Sequence, residues 1–193
     1  SIQGEGRFMG RVATFIRLAG CNLNCECCDT KYARLSGFDL DIEEIISKID
    51  TEFVVLTGGE PLLQNVETLC RKLGDMGKKV LVETNGTICR DVRAYHYTVS
   101  PKTTQINITF WKKLFSDFKI VCGPSCPPSM SFENARSLVF RLIENGISRD
   151  RIWLMPFGYN TRQLELYAKK VWKMAIELGV NYSDRLHIRC GGR

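Results

Sequence analysis

The chain is expected to be an α/β protein, a partial (open) parallel β-barrel of six strands with some crossover helices reduced. Three observations predict it. Short segments rich in Val, Ile, Phe, Leu or Tyr recur at 11–18, 52–57, 79–84, 95–99, 117–122 and 151–155, the composition of strands. Helical periodicities lie between most of them, and such alternation implies parallel strands joined by right-handed crossovers. The polar residues suited to chemistry fall just after strands, where parallel barrels and open sheets alike bind their ligands. An ordinary doubly wound sheet is the second choice of architecture.

Each element has a local reason. Phe53-Val54-Val55-Leu56 and Val80-Leu81-Val82 are near-continuous apolar runs, as strands covered on both faces require. Ile42, Ile45, Ile46 and Ile49 keep helical spacing, with Asp41 and Glu44 suited to a capping box. Val66, Leu69, Cys70 and Leu73 repeat that spacing before Gly77, as do Ala135, Leu138, Val139 and Leu142 before Gly146. Leu164, Tyr167, Val171 and Leu178 do so before Gly179. Glycine just past a periodic run is a helix stop. The connections between strands three and four, and four and five, are too short or irregular for full-length helices.

At 193 residues and 44% hydrophobic content the chain can bury one substantial core, so residues 1–193 are read as a single domain. No apolar run approaches the roughly 18 residues of a membrane span, and no membrane association is expected. Residues 1–10 are Gly-rich and polar, without a signal peptide. The chain starts at Ser1, so native residues are expected to precede it. Nine cysteines without a secretory signal point to reduced thiols, metal binding and the cytoplasm. The net charge of +6 is modest and scattered. Lys112-Lys113 and Lys169-Lys170 read as solvated helix faces. The arginines at 185, 189 and 193 could hold an anionic ligand, and no nucleic-acid partner is expected.

Cys21, Cys25 and Cys28 form a C-x3-C-x2-C run directly after the first strand. Three thiolates on one loop can hold three irons of a [4Fe–4S] cube, leaving the fourth iron open, whereas electron-transfer clusters usually take four cysteines. Zinc would ask for a second pair of ligands, and none sits at finger spacing. This loop resembles that of the radical S-adenosylmethionine (radical SAM) enzymes. Cys27 lies between two ligands and is not read as one; its backbone could pack against a bound adenine.

The other strand ends carry further polar turns. Thr57-Gly58-Gly59-Glu60-Pro61 follows strand two, and its glycines would let backbone approach a ligand closely. With the cysteine loop it matches the radical SAM motif whose backbone receives the amino group of S-adenosylmethionine. Glu83-Thr84-Asn85-Gly86-Thr87 and Ser100-Pro101-Lys102 suit ribose hydroxyls and a carboxylate, although Asn85-Gly86 is equally a common turn. Met155-Pro156-Phe157-Gly158 could wall an adenine or simply end a strand. Cys122 and Cys126 lack a third partner for a second cluster. Cys70, Cys89 and Cys190 are read as buried small side chains. His96 is read as core, and His187 as the better site candidate.

Ser1-Ile2-Gln3-Gly4-Glu5-Gly6, Phe15-Ile16-Arg17-Leu18-Ala19-Gly20 and Cys28-Asp29-Thr30 narrow the resemblance. With TGGEP, ETNG, SPK and a closing Leu186-His187, in that order, nearly the whole chain resembles the 7-carboxy-7-deazaguanine synthases. That resemblance implies a lyase converting 6-carboxy-5,6,7,8-tetrahydropterin to 7-carboxy-7-deazaguanine with release of ammonia, toward queuosine or archaeosine. It implies a [4Fe–4S] cluster, S-adenosylmethionine regenerated each turnover, and Mg²⁺. Matched by motif, Cys21, Cys25 and Cys28 are cluster ligands and Thr30 is the Mg²⁺ ligand. Ile2, Gln3, Gly4, Arg17 and Thr57 match substrate contacts, with Glu5 beside them, and Arg17 suits the pterin carboxylate. Cys27, Cys28, Asp29, Gly59, Ser100, Pro101, Lys102, Met155, Pro156, Phe157 and Gly158 match the S-adenosylmethionine contacts. A flavodoxin or ferredoxin as reductant and a homodimer are further expectations; a tRNA partner is not, since the product is a free base. No proline follows Pro156 and the chain reads Gly191-Gly192 where members often carry Trp-Gly. A small activase installing a glycyl radical on a partner protein is the competing radical SAM reading, and a zinc or nucleic-acid module the non-enzymatic one.

Overall fold

The computed structural model describes residues 1–123 and 131–191. Its strands are β1 (Ala13–Leu18), β2 (Phe53–Gly58), β3 (Lys79–Thr84), β4 (His96–Val99), β5 (Ser116–Cys122), β6 (Ile152–Pro156) and β7 (Asn181–Tyr182). They form one sheet in chain order, every neighbouring pair parallel, with β1 and β7 as open edges. The expected open parallel barrel therefore holds, with seven strands rather than six. The extra strand pairs Asn181 and Tyr182 with Trp153 and Leu154. Two residues between a helix stop and a polar turn leave no period for sequence patterning to detect.

Helices α1 (Lys31–Leu35) and α2 (Ile42–Ser47) fill the first crossover, and α3 (Glu67–Asp75) the second. Among the described residues no helix lies between β3 and β4, and α4 (Ile108–Lys113) has only six residues. Both reductions were expected. Helices α5 (Phe132–Glu144) and α6 (Thr161–Leu178) cover the later strands, and α7 (Leu186–Arg189) closes the described chain. Ser131 and Asn160 cap α5 and α6 by accepting from Asn134 and Gln163 N–H. The capping box on α2 does not form: Asp41 makes no side-chain cap bond, and Glu44 pairs instead with Lys48 at 2.7 Å. Gly179, at φ +63°, ends α6 as expected. No helix of the described residues is long and apolar enough to cross a membrane.

The period-two alternation of each strand divides the buried side chains into two sets. Val54, Leu56, Val80, Val82, Phe118 and Ile120 belong to the large core shared with the helices. Val55, Leu81, Phe53 and Ala13 form a smaller cluster with Phe8 and Phe15. Strand β5 is buried at every residue, yet the residues that alternate with Phe118 and Ile120 are Asp117, Lys119 and Val121. One face of this strand is oily; the other carries charge.

That charge ties down the N-terminal segment. Arg7 donates through Nε to Asp117 Oδ2 at 2.5 Å and through Nη2 to Oδ1 at 3.1 Å, with a further bond to the Asp150 carbonyl. His96, buried as expected, stands 3.3 Å from the same carboxylate. Its ring lies between Phe8 and Phe115, with centroids 5.1 and 4.9 Å away. Burial alone would raise the Asp117 pKa, but His96 and Arg7 outweigh it and hold the carboxyl below its usual range. A depressed carboxyl stabilises the fold above the unfolded-state pKa, near 4, and that contribution is lost as pH falls through the folded value. Asp117→Asn should cost about 2–4 kcal/mol near neutral pH and flatten the acid limb of stability. Urea unfolding followed across pH checks both outcomes.

Candidate active site at the strand ends

The cysteine loop leaves β1 and lies directly on the turn that leaves β2. Gly59 N–H donates to Leu18 O at 2.9 Å and Glu60 N–H to Gly20 O at 2.8 Å. A Cβ on Gly59 would sit 1.8 Å from Gly20 O, and one on Gly58, at φ +117°, 2.2 Å from Leu18 O. Their tightest neighbour is the backbone of the cysteine loop, although both also line the cavity beyond it.

Glu60 joins this pair to a third loop. Its carboxylate has no solvent exposure. It accepts from Leu62 N–H at 3.0 Å, Thr84 Oγ1 at 2.8 Å and Asn85 N–H at 2.7 Å. Burial raises its pKa against the pull of these donors. Asn85 accepts from Thr87 N–H and Oγ1 and donates to Asn22 Oδ1 at 3.1 Å. Its amide is thus committed to the turn and to the cysteine loop.

One cavity opens where these loops meet. Cys21, Cys25, Cys27, Cys28, Asp29 and Thr30 line it from the first loop, with Thr57 and Gly59 from the second. Ser100, Lys102, Met155 and Phe157 line it from later strand ends, and Glu5 from the N-terminal segment. Cys27 and Phe157 pack on Val121 and Met155, giving an apolar wall suited to a flat ring. Lys102 Nζ donates to Ser100 Oγ at 2.8 Å. Burial and the neighbouring charge of Lys119 push the Lys102 pKa below the usual lysine value.

Other predicted residues stand behind this lining. Gln3 is buried and donates to Glu83 Oε1 at 2.8 Å. Gly4 abuts His187, which a Cβ would meet at 2.2 Å, and its carbonyl accepts from Leu186 N–H. Ile2 bridges Val12, and Arg17 is exposed with its guanidinium 5.9 Å from the Tyr32 ring centre. Pro101, Pro156 and Gly158 are buried beside the residues that reach the cavity. Cys126 and Arg193 lie outside the described residues. Cys89 and Cys190 are exposed, contrary to expectation, because a loop and a short terminal helix carry them away from the core. Cys70 and Cys122 are buried, which pushes both thiols up to about 12.

Sequence reasoning named Glu5 and Arg185 singly but missed Lys119 and the ionic floor of the cavity that they form with it. Lys119 reaches Glu5 at 2.5 Å and Glu83 at 3.3 Å. Arg185 donates to Glu5 Oε1 at 2.8 Å, to the Gly158 carbonyl at 2.6 Å, and to Asp29. Burial would raise the Glu5 pKa; Lys119 and Arg185 outweigh it and hold this carboxyl far below the carboxylate range. Desolvation would likewise lower Lys119, but Glu5 and Glu83 keep it firmly protonated. The inward phase of Asp117-x-Lys119-x-Val121 was the available signal.

Comparison with known proteins gives the family. Residues 15–171 match the model of the Radical SAM superfamily. A 7-carboxy-7-deazaguanine synthase from Hyperthermus butylicus is 34% identical, covering 97% of this chain and 88% of its own. One from Pyrobaculum aerophilum is 35% identical over 100% of this chain and 91% of its own. The chain belongs to the 7-carboxy-7-deazaguanine synthase family of radical SAM enzymes. The crystal structure of QueE from Escherichia coli shares the fold, with a TM-score of 0.72, 97% and 91% coverage and 23% identity.

As a radical SAM enzyme this family member needs a [4Fe–4S] cluster and S-adenosylmethionine, and the residues present fit both. Cys21, Cys25 and Cys28, all partly exposed, face one cavity, with Cys27 beside them. Among the described residues no three His, Cys, Asp or Glu side chains gather on a single ion, whereas a cube takes separated thiolates, one per iron. Gly59→Ala should drive the second loop off the first. The expected outcome is a fall of several-fold in iron and sulfide retained after anaerobic reconstitution, with Gly74→Ala in α3, whose Cβ would meet only the Arg93 side chain at 3.5 Å, as the control.

Proposed function

We propose that this enzyme contracts the ring of 6-carboxy-5,6,7,8-tetrahydropterin to 7-carboxy-7-deazaguanine, releasing ammonia, in an Mg²⁺-dependent reaction carried by one domain across 1–193. The observation that carries the reading is the meeting of Glu5, from the QGEG segment, with the cysteine loop in a single cavity. The activase alternative has no need of that segment. When bound, the cluster and S-adenosylmethionine supply the one-electron chemistry that takes a hydrogen atom from the substrate.

The chain's own residues bind, orient and shield. Cys21, Cys25 and Cys28 would hold the cluster. Cys27, Met155 and Phe157 offer the adenosine an apolar wall, while Ser100 and Lys102 offer hydroxyl and ammonium donors to its polar groups. Glu5, kept ionised, accepts from substrate N–H groups. Thr30 donates its hydroxyl hydrogen to the Gly58 carbonyl at 3.3 Å, which leaves oxygen lone pairs for a hard cation that completes its shell with substrate and water. Arg17, Thr57 and the Ile2-Gln3-Gly4 segment are assigned to the substrate, the last through Gln3 and its partner Glu83. The reading also includes a cytoplasmic setting, a flavodoxin or ferredoxin as reductant, a homodimer, and no direct contact with tRNA.

An anaerobic assay with the carboxytetrahydropterin tests this. The expected result is deazapurine formation that requires Mg²⁺, without net consumption of S-adenosylmethionine. Thr30→Ala should lower the rate about tenfold or more and blunt its metal dependence. S-adenosylmethionine consumed as a co-substrate with no deazapurine formed would refute the proposal.

A further inference from the structure

Lys119 is nearly without solvent exposure (3%) on the charged face of β5, and the reaction outlined above gives it no task. Its ammonium stands 2.5 Å from Glu5 Oε2 and 3.3 Å from Glu83 Oε2. The remaining oxygens are also engaged: Glu5 Oε1 accepts from Arg185 and Glu83 Oε1 from Gln3, both at 2.8 Å. All of Glu5, Glu83 and Lys119 line the cavity. A buried lysine alone would shed its proton, and two adjacent carboxylates alone would trap one. Held from two sides, Lys119 is unsuited to accept a proton from substrate. Its effect is to keep two acceptor-only groups side by side at the cavity floor.

We propose that Lys119 is a positioning residue that holds Glu5 and Glu83 together as a pair of hydrogen-bond acceptors for the N–H edge of the substrate. This rests on the pterin reading, whose aminopyrimidinone ring carries adjacent N–H donors. Ionised carboxylates accept such pairs and cannot donate. A ring presenting a carbonyl there would set acceptor against acceptor, so the pair also selects against it.

The groups around the pair are few. Lys119 faces both carboxylates from β5, Arg185 and His187 face Glu5 from the C-terminal segment, and Gln3 faces Glu83. Lys102 and Asp29 complete the charged set.

Lys119→Met and Lys119→Arg are compared with the parent as anaerobically reconstituted, unreduced protein with S-adenosylmethionine. Carbon-13 NMR follows the glutamate carboxyls, and calorimetry measures binding of the carboxytetrahydropterin from about pH 6 to about pH 8.5. In the parent Glu5, held by Lys119 and Arg185, stays ionised throughout. Lys119→Met is expected to take up one proton, shared by the pair, at about neutral pH. Its pterin affinity at about pH 6 falls roughly tenfold, the share of one charge-assisted hydrogen bond, and recovers as pH rises. Lys119→Arg restores the parent profile. His187, which burial holds below the usual histidine value, also faces Lys119 and Glu5, so the carboxyl resonances, not the binding profile alone, report the pair. If Lys119→Met does not fold, the double variant Lys119→Met/Glu83→Gln keeps the charge balance, and parent-like pterin affinity in it overturns the proposal. Unchanged carboxyl titration in Lys119→Met, or a lowered melting temperature with an unaltered pH profile, overturns it too. If the carboxyls respond as expected but the parent binds no pterin, the pterin reading fails and takes the substrate assignment of the pair with it.

Discussion

The site depends on one carboxylate that water does not reach. Glu60 sits at zero exposure and gathers donors from its own turn and from the strand-end loop after β3. Its backbone N–H meanwhile grips Gly20, one residue before the first cysteine. Three loops from three strands are thereby fixed by a single side chain and the glycines beside it. Buried donors left without an acceptor each cost about 1–3 kcal/mol, so the loops move together or not at all. A loop that must present three thiols to one cofactor needs that rigidity, because its own sequence, with one short turn, supplies little.

The parallel sheet makes this economical. All strands point the same way, so every carboxyl end opens on one rim, and side chains alternate between a face packed on helices and a face turned inward. Toward the rim the inward face is apolar at Val121 and Met155, where a ring can stack. One step deeper it is ionic at Lys119, Glu83 and Glu5. Lower still, Asp117, His96 and Arg7 fasten the N-terminal segment across the barrel. Apolar, ionic and structural layers follow one another within five residues of β5.

Much of this was legible in the chain. Six strands, the reduced crossovers and the helix stops follow from composition and period, and the cysteine loop from spacing alone. β7 was not legible because two residues carry no pattern, and Cys89 and Cys190 because thiol chemistry does not report exposure. The glycines of the second turn were readable as a close approach, but not what they approach; the neighbour proved to be Gly20 from another strand end. The ionic floor hid for a different reason. Its members are single charged residues in segments far apart, and only the folded register brings them together. The neighbour of Arg17 was not legible either: its guanidinium lies over Tyr32, on a helix of the following crossover.

Glu5 and Arg185 form their buried pair across a separation of 180 residues, and Gly4 receives Leu186 through the backbone. Two segments far apart in the chain are thus neighbours at the cavity floor. During synthesis the Glu5 carboxylate stays hydrated until the distant Arg185 has been made. Whatever order the strands assemble in, the floor is complete only once Arg185 reaches Glu5, so a folding intermediate can own a complete cysteine loop and still lack a floor beneath it.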